Sequence, residues 1–153
     1  DTIDLKALLE TLLDSYQAQA KASQLTLNLN CLNEALVATH GNSLVGVFEN
    51  LLTNALRYSH KNTSIDIEVT RTTREFVIEV CDHGSGLDEE QLSAIFKPFY
   101  RTDEARDRSS GGYGLGLAIA QRTVELHGGT IKAVNNPEGG LCVCVRLPSG
   151  TPQ

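Results

Sequence analysis

The chain has 153 residues, 41% of them hydrophobic and 21% charged, and carries a net charge of −6. That is enough for one domain with a core of its own. The acidic balance argues against nucleic acid as a partner, and no run approaches the ~18 apolar residues of a membrane helix.

The first residue is Asp rather than Met and no signal-peptide pattern follows, so the chain reads as a piece of a longer protein. "DLKALLETLLDSYQAQAKAS" has apolar residues at 5, 8, 9, 12, 13 and 16, a spacing that predicts a helix with Asp4 as N-cap. "LTLNLNC" alternates with period two and predicts a strand; "ALVAT", 35 to 39, predicts a short second one. Ser43 is a suitable cap for a helix over about 44 to 58. "SIDIEVTR" and "EFVIEVCD" predict two further strands, and "LDEEQLSAIF" a short helix. Residues 100 to 113 are polar, charged and rich in Gly and Ser, as in a long loop. A helix is expected from about Gly114 to His127, stopped by Gly128-Gly129. Two closing strands, "TIKAVN" and "LCVCVRL", are joined by "NPEGG". Hairpin-like strand pairs alternating with helices imply a mixed or largely antiparallel sheet covered by helices on one face, a two-layer α/β sandwich. Cys31, Cys81, Cys142 and Cys144 form no C-x-x-C pair and lie in apolar, strand-like stretches. They are expected to be small buried thiols in a reducing compartment rather than disulfides or metal ligands.

Three segments carry chemistry. In "ENLLTNALRYSH", at about 100° per residue, Leu44, Phe48, Leu51, Leu52 and Ala55 share one helix face while Asn50, Asn54 and Arg57 share the opposite one. Glu49 and Tyr58 flank that polar stripe. A carboxamide oxygen can ligate a hard cation, and amide or guanidinium groups can donate to phosphate. Taken alone, such a stripe is ordinarily a solvated helix face. In "CDHGSGL" a strand ends in Asp82, and Gly84 and Gly86 allow a sharp turn and close approach to a ligand. Taken alone, D-x-G-x-G is more often only a turn. In "GGYGLGLAIA", Gly112, Gly114 and Gly116 alternate where a helix begins, and backbone N–H groups at a helix start attract phosphate. Arg101, Arg106 and Arg108 in the preceding loop can also pair with phosphate. Neither the P-loop pattern nor G-x-G-x-x-G is present, since Leu occupies position 117. A charged, Gly-rich loop in this place is what a mobile lid requires.

The order of these segments is more specific than any one of them. An Asn-bearing helix, D-x-G-x-G, "FKPF" at 96 to 99 and G-x-G-L-G-L resemble the ATP-binding catalytic domain of bacterial two-component sensor histidine kinases, within the wider group of Hsp90, gyrase B and MutL. The resemblance spans about residues 3 to 148. "NALRYSH" and "FYRTDEARDRSSGG" resemble the Cpx-type envelope-stress sensor kinases in particular.

The resemblance implies a Bergerat-type α+β fold: a mixed sheet of about five strands, about three helices on one face and a mobile ATP lid. It implies that Asn50 holds Mg²⁺ against the ATP phosphates, that Asn54 and Arg57 contact phosphate, and that Tyr58 lies near the nucleotide. Glu49 occupies the position of a general base or orienter for an accepting imidazole. Asp82 matches the residue that hydrogen-bonds the adenine amino group, with Gly84 and Gly86 shaping its pocket. Phe96 and Phe99 match the segment anchoring the lid. Arg101, Arg106 and Arg108 are lid candidates of which one or two reach phosphate, Gly112, Gly114 and Gly116 close the lid over the phosphates, and Leu115 and Leu117 accompany them as packing residues. His83 departs from relatives that often carry Asn there. None of the four histidines lies in a phosphoacceptor motif, so the accepting histidine is expected in a separate dimerisation domain. The resemblance further implies phosphoryl transfer from ATP to that histidine, a downstream response regulator, a monomeric isolated domain, a homodimeric parent in the bacterial inner membrane, and a cytoplasmic location for this domain. The competing readings are an ATPase clamp of the Hsp90 or MutL kind and a non-catalytic nucleotide-binding module.

Overall fold

Apolar side chains recur at every second residue along the strands, and this alternation sets the architecture. The computed structural model describes residues 1–100 and 116–149. Its strands are β1 (Thr2–Asp4), β2 (Leu25–Cys31), β3 (Leu36–Ala38), β4 (Thr63–Arg71), β5 (Glu75–Cys81), β6 (Thr130–Asn135) and β7 (Leu141–Pro148). Its helices are α1 (Leu5–Ala22), α2 (Ser43–Tyr58), α3 (Glu89–Ala94) and α4 (Gly116–Leu126). Five strands form one mixed sheet in the order β2-β4-β5-β7-β6, and β1 pairs with β3 in a separate two-stranded sheet. The helices pack on one face of the large sheet.

Ile65, Ile67 and Val69 of β4, Phe76, Ile78 and Val80 of β5, and Val143, Val145 and Leu147 of β7 all point into one core. Leu5, Leu9, Leu12 and Leu13 of α1 and Leu44, Phe48, Leu51, Leu52 and Ala55 of α2 meet them there. Each such side chain, fully buried, contributes roughly 1.5–3 kcal/mol. Asp4 caps α1 as anticipated, its side chain accepting from the Lys6 N–H at 3.0 Å. No helix among the described residues is long and apolar enough to cross a membrane.

Two local expectations are corrected. β2 and β3 are not partners: β2 runs parallel to β4, from Leu25↔Thr63 to Cys31↔Val69, while β3 pairs antiparallel with β1. The parallel pairing needs a crossover between strands, and α2 provides it. The short helix expected in "LDEEQLSAIF" is α3, one of four helices among the described residues. Ser43 is the first residue of α2 rather than its cap; its hydroxyl donates to the His40 carbonyl at 2.8 Å.

The opposite face of the sheet is polar. Asn28 donates to Asp66 at 2.9 Å, and Arg146 pairs with Glu75 at 3.4 Å. Register on this face places Cys81 opposite Cys142, and the two form a disulfide. This corrects the expectation of four thiols. The cysteines are 61 residues apart in sequence, and only the antiparallel pairing of β5 with β7 brings them together. Cys31 and Cys144 are free and half-buried. Thiol titration of the chain, denatured without reductant, is therefore expected to find two reactive thiols, rising to four after reduction.

Candidate functional site

The 3.6-residue period divides α2 into an apolar face and a polar stripe. On the stripe, Asn50, Asn54, Arg57 and Tyr58 are half-buried. The Asn50 carboxamide donates to the Gly116 carbonyl at 3.1 Å, joining the stripe to the first turn of α4. Its Oδ1 lies on the same side, 3.3 Å from where a Cβ on Gly116 would stand. The Asn54 carboxamide has no hydrogen-bond partner among the described residues. Glu49 projects from the neighbouring flank toward α1, where the Tyr16 hydroxyl donates to its Oε2 at 2.8 Å. That bond and burial, together with the nearby negative charge, raise the Tyr16 phenol above its usual range.

The C-terminal end of α2 leads directly to the second segment. Ser59 forms a β-bridge with Gly84. A side chain at Gly84 would land on the Tyr58 carbonyl oxygen, so only glycine permits this approach. Gly86 has φ +74°, and a Cβ there would stand 2.8 Å from Asn135 Oδ1. Between these anchors Asp82 is 3% exposed. Its backbone N–H donates to the Leu141 carbonyl at 2.9 Å. Its Oδ1 accepts from the backbone N–H groups of Gly84 and Leu141, both at 3.0 Å. Oδ2 receives no donor from the described residues. The loop before β7 completes the enclosure, with the Asn136 carboxamide donating to the Asp82 carbonyl at 3.2 Å.

His83 turns away from this enclosure. Its Nδ1 meets the Ser64 carbonyl at 2.7 Å, and Nε2 lies 4.0 Å from Asp66 and 3.9 Å from Glu138. His127 Nδ1 meets the Thr123 carbonyl at 2.8 Å, and its Nε2 accepts from the His40 N–H at 3.2 Å. Among the described residues no cluster of three His, Cys, Asp or Glu could hold a metal ion. A magnesium ion would instead need the neutral oxygen of Asn50 together with ligand phosphates, a donor set of the hard type it prefers.

The structure thus joins Asn50 to Gly116 and Tyr58 to Gly84, while Glu49 sits on the α1 side of the stripe. Leu117 packs against the core, as a packing residue should. Phe96 is buried and Phe99 is 71% exposed. Arg101, Arg106, Arg108, Gly112, Gly114 and Leu115, and with them the lid, lie outside the described residues. Tyr16, Asn135 and Asn136 were not anticipated; a single polar residue with a distant partner leaves no periodic signal.

A family model described as histidine kinase-, DNA gyrase B-, and HSP90-like ATPase matches residues 39–151. The sensor histidine kinase CpxA of Escherichia coli (strain K12) is 41% identical over 150 residues, covering 97% of this chain and 32% of that protein. The chain thus spans about a third of the length of the curated relatives it matches. Among solved structures, the mycobacterial sensor histidine kinase MprB superposes with a TM-score of 0.87 at 22% identity, covering 97% of each chain. Histidine kinase ThkA in complex with response regulator protein TrrA gives 0.83 at 21% identity, covering 98% of this chain and 42% of that one.

Burial pushes the Asp82 carboxyl above the usual carboxylate range, against the opposing effects of the Gly84 and Leu141 N–H groups and of His83 and His60. With its folded pKa above its unfolded one, the native state binds more protons between the two values, and stability falls as pH rises through that window. At neutral pH the buried charge is a standing cost. Asp82→Asn keeps Oδ1 as acceptor and removes the charge. It is expected to match or exceed the parent chain in urea-unfolding midpoint at pH 7, with the advantage lost below the ordinary carboxylate pKa of 3.8.

Proposed function

Because this chain belongs to the histidine kinase-, DNA gyrase B- and HSP90-like ATPase family, we propose that it binds Mg-ATP between α2, residues 82–87 and the start of α4. It then transfers the γ-phosphoryl group to a histidine of a dimerisation domain outside this chain. The observation that carries this reading is Asp82: a buried carboxylate with Oδ1 fixed by two backbone N–H groups and Oδ2 left for an incoming donor. The exocyclic amine of adenine is such a donor, and a charge-assisted hydrogen bond in a buried site is among the strongest available.

The phosphate end lies toward Asn50, Asn54 and Arg57. Asn50 would hold Mg²⁺ through its carboxamide oxygen, Asn54 and Arg57 would donate to phosphate oxygens, and Tyr58 would flank the nucleotide. Magnesium, when bound, supplies charge neutralisation on the triphosphate. The N–H groups at the start of α4 add to it, as would Gly112, Gly114 and one or two of the arginines at 101, 106 and 108. Phosphoryl transfer needs mainly positioning and such electrostatic stabilisation. Glu49 is the carboxylate near the stripe that can orient the accepting imidazole and take its proton. The Tyr16 bond occupies Oε2 and leaves Oε1 for that role.

On this reading the chain is a cytoplasmic domain of a homodimeric sensor kinase of the bacterial inner membrane, the isolated domain being a monomer. Its downstream partner is a response regulator; ThkA, of the same fold, has been solved with one.

Asp82→Asn is expected to weaken Mg-ATP binding by roughly ten- to a hundredfold, the value of a hydrogen bond to a charged group, as measured by calorimetry. Glu49→Gln is expected to lower phosphoryl transfer to the parent kinase's histidine hairpin by about 10²–10⁴-fold while sparing ATP affinity. Radiolabelled ATP checks this: label on histidine supports the kinase reading, whereas hydrolysis without label transfer supports a clamp-type ATPase.

A further inference from the structure

Residues 82–87 leave the sheet and would be floppy without anchors, since a short Gly-rich loop loses considerable conformational entropy on being fixed. Besides the hydrogen bonds of His83 to the Ser64 carbonyl, of Ser85 to His60 and of the Asp82 carbonyl to Asn136, three anchors hold it. The first is the pair of bonds between Asp82 and Leu141. The second is the Ser59–Gly84 bridge. The third is Asn135, the last residue of β6. Its Oδ1 accepts from the Leu87 N–H at 2.9 Å, and its Nδ2 donates to the Leu87 carbonyl at 2.6 Å. The carboxamide thus satisfies both backbone groups of one residue, as a neighbouring strand would.

Gly86 is fitted to this contact. Its missing Cβ would stand 2.8 Å from Asn135 Oδ1 and 3.1 Å from the Gly140 carbonyl. In this chain the absent side chain makes room for the asparagine. The adjacent Asn136 holds the Asp82 carbonyl, so consecutive residues at the end of β6 grip both ends of the loop.

We propose that Asn135 is a positioning residue for the purine end of the cleft, its carboxamide holding residues 82–87 in the shape that receives adenine. The inference rests on the reading of Asp82 given above. Asn135 touches neither purine nor phosphate on this account; it acts through Leu87 and Gly86.

The test compares dissociation constants for Mg-ATP and Mg-GTP in the parent chain, Asn135→Ala, Asn135→Asp and Asp82→Asn, with a thermal midpoint for each. Asn135→Ala is expected to weaken ATP about three- to tenfold, the worth of the two bonds in a partly solvated setting, and to leave GTP unchanged, so that the preference for ATP shrinks. Asn135→Asp keeps the acceptor for the Leu87 N–H and loses the donor, and is expected to fall between. It also decides the matter if the alanine variant does not fold. An unchanged ATP-to-GTP ratio, or equal loss of both nucleotides, would overturn the proposal. If Asp82→Asn binds ATP as the parent does, it is instead the reading of Asp82 that fails, whatever Asn135 does.

Discussion

A carboxylate that is 3% exposed is held by the backbone of a neighbouring strand, and the site depends on that arrangement. The Asp82 N–H and Oδ1 each bond to Leu141, on the far side of the antiparallel seam between β5 and β7. Burying a charge is unfavourable unless it is hydrogen-bonded. Backbone N–H groups compensate part of that penalty without supplying a counter-ion. What remains is a carboxylate fixed in direction, with Oδ2 receiving no donor from the described residues. The sheet therefore does more than carry the core: its central seam sets the position of one oxygen atom.

The rest of the candidate site is built outward from α2. One face of this helix buries Leu44, Phe48, Leu51, Leu52 and Ala55 against the sheet, which fixes its rotation. With rotation fixed, Asn50 must face the start of α4, and the helix end must deliver Tyr58 and Ser59 to Gly84. The apolar half of α2 thus positions the polar half. The two proposed ends are tied through one helix, since Asn50 lies on α2 and Gly84 is bridged to Ser59 at its C-terminal end.

Much of this was legible in the sequence. The two faces of α2 follow from a 3.6-residue period, and D-x-G-x-G at the end of an alternating run marks a carboxylate beside a tight turn. What was not legible is non-local. Seven residues of β2 read as a strand, but nothing in them says that they lie parallel to β4 rather than beside β3. Three residues of β1 are too few for any period to show. Asn135 reads as the end of a strand and Asn136 as a turn residue, yet their partners are Leu87 and Asp82, about fifty positions earlier. Cys81 and Cys142 are adjacent only because strand register makes them so. Glu49 illustrates a further limit. Helical geometry places it at the edge of the Asn stripe, but its bond to Tyr16 depends on how α1 packs, which the period of α2 does not encode.

The central claim is that distant stretches of chain share one site, with the purine beside the C-terminal end of α2 and the metal at Asn50, about two turns earlier on the same helix. Amide NMR of the isotope-labelled chain tests it most directly, first with Mg-ATP and then with Mn²⁺ replacing Mg²⁺. The account predicts that nucleotide shifts the signals of Asp82, Gly84, Gly86 and Leu141, and that manganese broadens Asn50, Asn54 and Gly116 most strongly. Shifts confined to the polar face of the sheet, around Glu68 and Lys132, or broadening centred away from α2, would contradict it.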